Sequence, residues 1–145
     1  MVRLGLVVAQ FDKTGEVIDA MTERAREAAD ERGVEVVDLV EVPGSYDTPL
    51  AADRLARRDD VDAVAVVGAI ISGDTGHDEV IADAAAQGLT EVSLDRDTPV
   101  TFGVIGPDMS VAEARERTGY GALAVQSALD LAEELPDPDP DPATE

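Results

Sequence analysis

Leu4-Gly5-Leu6-Val7-Val8-Ala9 contains no polar side chain. A strand with one wet face alternates apolar and polar residues. An unbroken apolar run means that both faces are covered. The stretch predicts a strand over residues 2–9. Val64-Ala65-Val66-Val67 repeats the pattern within a predicted strand at 62–67. Two doubly covered strands belong inside a parallel sheet that carries helices on each side.

The segments around these strands alternate in the required way. Val17, Ile18, Met21, Ala25 and Ala28 recur at helical spacing and predict a helix over 14–32, ended by Gly33. A second strand is expected at 34–40. A turn follows at Val42-Pro43-Gly44-Ser45, then a short helix from Thr48 to Arg57. A loop spans Gly68 to Gly76, and a helix runs from His77 to about Leu89. The fourth strand is expected at 99–104. Ser110 with Glu113 three residues on reads as a capping box that opens one last helix, to about Leu135. The expected fold is α/β, a flavodoxin-like three-layer sandwich with a four-stranded parallel sheet flanked by helices. One domain is expected over 1–135. Residues 136–145 alternate proline with acid and read as an extended, solvated tail without its own fold. Sheets of this kind bind ligands beyond the carboxyl ends of their strands. The segments Ala9–Thr14, Val42–Thr48, Gly68–His77 and Val104–Ser110 therefore matter most for function.

The charge balance narrows the class further. The 145 residues include 11 basic and 32 acidic side chains, a formal net charge of −21. The only lysine is Lys13. Such a charge argues against a nucleic-acid binder and against docking on an anionic membrane. No apolar run is long enough to span a bilayer, and no charged-then-apolar leader opens the chain, so a cytoplasmic location is expected. Strand 1 is expected to begin at Val2, so no N-terminal extension that pairs with a neighbour's sheet is expected. Cysteine is absent, which removes disulfides and thiolate metal sites. One histidine without cysteine disfavours a transition-metal site but leaves carboxylate-only magnesium binding open; no metal and no cofactor are expected. The disordered reading of an acidic, aromatic-poor chain fails, because 44% of the residues are hydrophobic and fall in compact blocks. An acid-rich, lysine-poor surface fits a salt-filled cytoplasm, where self-repulsion is screened.

Several residues carry candidate chemistry. His77 is expected to open a helix at the carboxyl edge of the sheet, where the helix N-terminus disfavours imidazolium and Asp74, Asp78 and Glu79 favour it. A lone histidine is also common as a surface residue. Phe11, just past strand 1, reads either as a stacking ring or as a core plug. Phe102 reads as core by periodicity. Ser45-Tyr46-Asp47 offers hydroxyls, a ring and a carboxylate suited to a polyol or an amide-bearing ring, or simply a helix cap. Gly73-Asp74-Thr75 has backbone N–H groups for a phosphate but no Walker lysine. Arg115 and Arg117 are either surface ion-pair partners or the local cations that an anionic ligand needs in so acidic a protein.

Five motifs in order carry a resemblance. They are Ala9-Gln10-Phe11-Asp12, Val42-Pro43-Gly44-Ser45-Tyr46-Asp47-Thr48-Pro49, the stretch from Gly68 to Asp78, Pro99-Val100-Thr101-Phe102-Gly103-Val104, and Glu116-Arg117-Thr118-Gly119-Tyr120-Gly121. With this spacing the chain resembles the lumazine synthase family of riboflavin biosynthesis, in its archaeal form, over nearly all of its length short of the tail. The resemblance implies condensation of a ribitylamino-amino-pyrimidinedione with 3,4-dihydroxy-2-butanone 4-phosphate. It implies His77 as the proton-transfer residue and Phe11 as the ring that stacks on the pyrimidine. Ser45, Tyr46 and Asp47 would hold the ring and the ribityl hydroxyls. Ala69, Ile70 and Ile71 would line the pyrimidine site with backbone groups. Asp74, Thr75 and Arg117 would hold the phosphate, and Phe102 would come from a neighbouring subunit. A homopentamer, or a larger shell of pentamers, is implied as the working unit. The family lysine after the Arg117 block is missing, since Gly121-Ala122-Leu123 stands there. Tyr46-Asp47 replaces the usual Phe-Glu, and Asp78 stands at an often aromatic position. Two other readings remain: the related archaeal riboflavin synthase, and a non-enzymatic flavin-binding module of the same fold. A receiver domain is disfavoured by Gln10-Phe11, by Gly68-Ala69 and by the lack of a late lysine.

Overall fold

A computed structural model of the chain describes residues 1–10, 15–71 and 77–138. Four strands, β1 (Arg3–Ala9), β2 (Glu35–Val42), β3 (Ala63–Ala69) and β4 (Val100–Ile105), form one sheet in the order β2-β1-β3-β4. All three pairings are parallel. The helices are α1 (Gly15–Glu31), α2 (Thr48–Ala56), α3 (His77–Arg96), α4 (Val111–Glu116) and α5 (Tyr120–Glu134), and a short 3-10 turn covers Ser45–Asp47. The expected α/β sandwich is the observed one.

The two-residue period of the strands sorts side chains between two cores. Leu4, Leu6 and Val8 of β1, with Ala63, Ala65 and Val67 of β3, face α1 and α5, where they meet Ile18, Met21, Val125 and Leu129. Val7, Val64, Val66 and Val104 face α2 and α3, where they meet Ala52, Leu55, Leu89 and Val92. All seven residues of β3 are buried. Each large aliphatic side chain taken fully out of water contributes about 1.5–3 kcal/mol. β1 and β3 gain this on both faces, which is why they lie in the middle of the sheet. No helix of the described residues is long and apolar enough to cross a membrane.

Two helices differ from the sequence expectation. α3 continues through Leu89 to Arg96. Gly88 lies within the helix, at a close contact with Pro49. The expected single last helix is two. α4 stops at Glu116, and Arg117 leaves the helical region at φ −110°, ψ 15°. α5 then starts afresh, with Gly121 against the backbone of Met21, where any side chain would strike the Met21 carbonyl. Gly33 ends α1 as expected, at φ +65°, a conformation that favours glycine. Ser110 caps α4: Glu113 N–H donates to Ser110 Oγ at 3.1 Å, and Ser110 N–H donates to Glu113 Oε1 at 3.2 Å.

Arginines tie the elements together toward the amino end of the sheet. Arg3 meets Asp62 through its backbone N–H at 2.7 Å and through Nε at 3.2 Å. Arg32, just past α1, reaches Asp130 at 2.7 Å and Glu133 at 2.8 Å on α5. Arg58, past α2, reaches Asp38 and Asp60, each at 2.8 Å. Asp53 of α2 accepts from both Arg96 and Arg57 at 2.7 Å. These helices end over the amino ends of the strands, so the cations also complement the helix C-termini.

The hydrogen bond from Arg96 holds the Asp53 carboxyl below the usual carboxylate range, and the one from Arg3 does the same for Asp62. A carboxyl lowered in the folded state stabilises the fold above its unfolded pKa. That contribution is lost as pH falls toward the folded value. Unfolding free energy is therefore expected to drop as pH falls below about 5. In urea titrations across that range, Asp53→Asn should lower neutral-pH stability and flatten the acid slope; an unchanged slope would remove Asp53 from the account.

Candidate active site

The carboxyl ends of the strands meet at Gly68. A Cβ built there would lie 3.0 Å from Ser45 Oγ, 3.2 Å from Ala9 Cβ and 3.3 Å from Val104 Cγ2. The bare glycine lets the ends of β1, β3 and β4 close up under the turn that follows β2. Gln10 N–H donates to Val42 O at 2.7 Å and draws the segment after β1 to the same place.

The turn that carries Ser45, Tyr46 and Asp47 is closed on itself. Asp47 N–H donates to Gly44 O at 3.0 Å, and Gly44 N–H donates to Asp47 Oδ2 at 3.1 Å. Thr48, fully buried, donates its hydroxyl to Ser45 O at 2.8 Å. Ser45 is buried against the sheet, while Tyr46 is 64% exposed and Asp47 is exposed. The expected helix-cap alternative is half right. Asp47 stands before α2 but makes no side-chain hydrogen bond to that helix, and its carboxylate turns back to Gly44.

Ala69 and Ile70 are buried at the end of β3, and Ile71 is half-buried. Ile70 N–H donates to Ile105 O at 2.8 Å. Gly106, at φ +94°, lays its backbone against the Ile70 carbonyl, where any side chain would collide. His77 is the first residue of α3, as expected, and is exposed beside Asp78 and Glu79 in the first turn. Phe11, Asp74 and Thr75 lie outside the described residues.

Phe102 corrects its periodicity reading. Its neighbours Thr101 and Gly103 are buried, whereas Phe102 is 42% exposed. β4 is an edge strand, so its α3-facing side is only partly covered. Arg117 is exposed at the end of α4, with Nη2 at 3.6 Å from Glu113 Oε2. Glu113 thus spans the Ser110 cap and Arg117. Its carboxyl is lowered first by the Ser110 backbone N–H, then by the Ser110 hydroxyl, with a smaller contribution from Arg117. Arg115 makes a similarly long contact, Nη2 at 3.5 Å from Glu16 Oε2.

Two grooves mark the described surface, the second of them reaching Pro43 and Asp47 of the turn after β2. One of about 830 Å³ is lined by Met1, Leu94, Pro99 and Leu131 at the amino end of the sheet. The other, about 490 Å³, runs between β2 and α2 beside Val40, Leu50 and Arg58. Neither includes His77, Phe102 or Arg117. The sequence reading missed Thr48 and Gly68. Their signals were present but weak: a threonine three residues after a serine, and a glycine at the end of an apolar strand.

The family profile described as 6,7-dimethyl-8-ribityllumazine synthase matches residues 1–135. The chain belongs to the 6,7-dimethyl-8-ribityllumazine synthase family. A 6,7-dimethyl-8-ribityllumazine synthase of Halorubrum lacusprofundi is 68% identical over 135 residues, 93% of this chain and 99% of the relative. One from Halobacterium salinarum is 64% identical over 135 residues, covering 93% and 100%. One from Methanococcus aeolicus is 42% identical over 137 residues, covering 94% and 99%.

Thr48→Val keeps the side-chain shape and removes the hydroxyl, leaving the Ser45 carbonyl without its donor. The expected cost is about 1–2 kcal/mol, read as a lower urea midpoint; an unchanged midpoint would mean that the bond contributes nothing to folding.

Proposed function

We propose that this chain condenses 5-amino-6-(D-ribitylamino)uracil with 3,4-dihydroxy-2-butanone 4-phosphate to 6,7-dimethyl-8-ribityllumazine, releasing phosphate and water. The observation that carries the reading is near full-length identity of 68% to a lumazine synthase. The convergence of Ser45, Ala9 and Val104 on Gly68, at the ligand-binding edge of a parallel sheet, supports it.

Two reactants must meet in one orientation, so most of the rate comes from positioning. In this proposal the Ser45–Asp47 turn holds the ring and the ribityl chain. Its own hydrogen bonds pre-form it, so little order is lost on binding. Backbone groups of Ala69, Ile70 and Ile71 flank the ring, and Phe11 stacks on it. His77 moves protons during imine formation and phosphate elimination, which an exposed histidine at a helix start suits. Asp74 and Thr75 hold the phosphate with Arg117. Among the described residues only a weak 3.6 Å contact occupies Arg117, which leaves the guanidinium available to a dianion.

Phe102 in β4 and Tyr46 in the turn after β2 are exposed aromatics in a single chain. Both features support a site completed by a neighbouring subunit, in a homopentamer or a shell of pentamers. The excess acid supports a cytoplasm of high salt as the working medium. Residues 136–145 are proposed as a solvated tail outside the domain of residues 1–135.

Mixing the two substrates with the protein should raise lumazine fluorescence; riboflavin formed from lumazine instead would favour the riboflavin synthase reading. His77→Ala should slow turnover by about 10²-fold without abolishing it. Arg117→Ala should raise the KM for the phosphate substrate about 10-fold and leave the pyrimidine KM near its starting value; equal effects on both would remove Arg117 from the phosphate.

Light scattering separates the salt proposal from the chemistry. A mass of several subunits is expected at about 3 M KCl, falling together with activity at about 0.1 M, where screening is weaker. A stable, active assembly in dilute buffer would overturn it.

A further inference from the structure

α3 carries His77 at its first residue and packs across the turn that holds Ser45, Tyr46 and Asp47. One contact sets the spacing between them. A Cβ on Gly88 would lie 2.8 Å from Pro49 Cγ and 3.0 Å from Pro49 Cβ, closer than side chains tolerate. The backbone of α3 therefore rests directly on the proline ring. Pro49 follows Thr48 in the first turn of α2, and Thr48 bonds to Ser45 O. Ring, threonine and turn form one short, stiff unit.

The choice of glycine is informative. Alanine is the better helix former, and α3 uses it at positions 82, 84, 85 and 86. Glycine appears where the proline presses. A helix moves largely as a rod, so a displacement at Gly88 is carried to His77. We propose that the Gly88–Pro49 contact sets the distance between the proton-transfer histidine and the ring-holding turn, which makes Gly88 and Pro49 positioning residues for the condensation. This rests on the roles given above to His77 and to Ser45–Asp47.

The test uses the full chain at high KCl, with both KM values and kcat measured. Gly88→Ala must push α3 away from Pro49 by several tenths of an ångström. Misplacement on that scale should lower kcat about 10-fold. The pyrimidine KM should change less than about twofold, because the turn keeps its own hydrogen bonds. In a His77→Ala background the same substitution should cost nothing further, since the displaced group is already gone. Adding Pro49→Ala to Gly88→Ala removes the ring carbons and should recover most of the lost kcat. A folded Gly88→Ala protein with undiminished kcat, or a full additive loss in the His77→Ala background, would overturn the proposal. If Gly88→Ala does not fold, Pro49→Ala alone deletes the stop without adding bulk. A kcat about 3-fold lower, with no change in melting beyond a few degrees, supports the proposal, and an unchanged kcat overturns it. His77→Ala at undiminished speed is a separate result, obtained with Gly88 intact, and it removes the role of His77 itself.

Discussion

β1 and β3 are covered on both faces, and every other element is arranged to cover them. Their side chains alternate between two cores, so helices are needed on both sides at once. α1 and α5 close one side, and α2 and α3 close the other. Removing either layer would expose half of the most apolar part of the chain. β2 and β4 accept the edges, where a partly covered strand tolerates Asp38 in one and leaves Phe102 exposed in the other.

Close approach at the carboxyl edge depends on missing side chains. Gly68 admits the Ser45 hydroxyl, Gly106 admits the Ile70 carbonyl, and Gly88 admits Pro49. Each contact brings together segments distant in sequence. Together they place the turn after β2, the end of β3 and the start of the segment after β4 on a common floor. The rigidity of that floor is what a two-substrate condensation needs, because a pre-formed site spends less binding energy on ordering itself.

Charge is divided in a way that suits an anionic substrate. Arg3, Arg32, Arg57, Arg58 and Arg96 are engaged with carboxylates toward the amino end of the sheet. Exposed pairs of this kind stabilise little individually, but they join helix to helix and strand to turn across the fold. Arg115 and Arg117 stand with α4, beyond the carboxyl end of β4, and their contacts are longer, at 3.5 and 3.6 Å. With a net charge of −21, the protein's overall field repels a phosphate ester. In the proposed function, capture then depends on local cations such as Arg117.

Much of this was legible from residues alone. Unbroken apolar runs marked the central strands, because burial on both faces leaves no position for a polar side chain. Helical spacing marked α1, Gly33 its end, and Ser110 with Glu113 the cap of α4, because each depends on neighbours within a few residues. Motif order identified the family, and His77 stands at the start of its helix as the sequence implied. Other features were decided only by packing. The helix expected to end near Leu89 continues as α3 to Arg96, with Gly88 packed on Pro49 from a distant part of the chain. Just past the break between α4 and α5, Gly121 meets the Met21 backbone, a contact between distant parts of the chain. Phe102 alternates like a core residue, and only its place on an edge strand leaves it in solvent. Local chemistry is written in sequence because its partners are near. Which surfaces meet is a three-dimensional matter, settled by where a missing Cβ allows two backbones to touch.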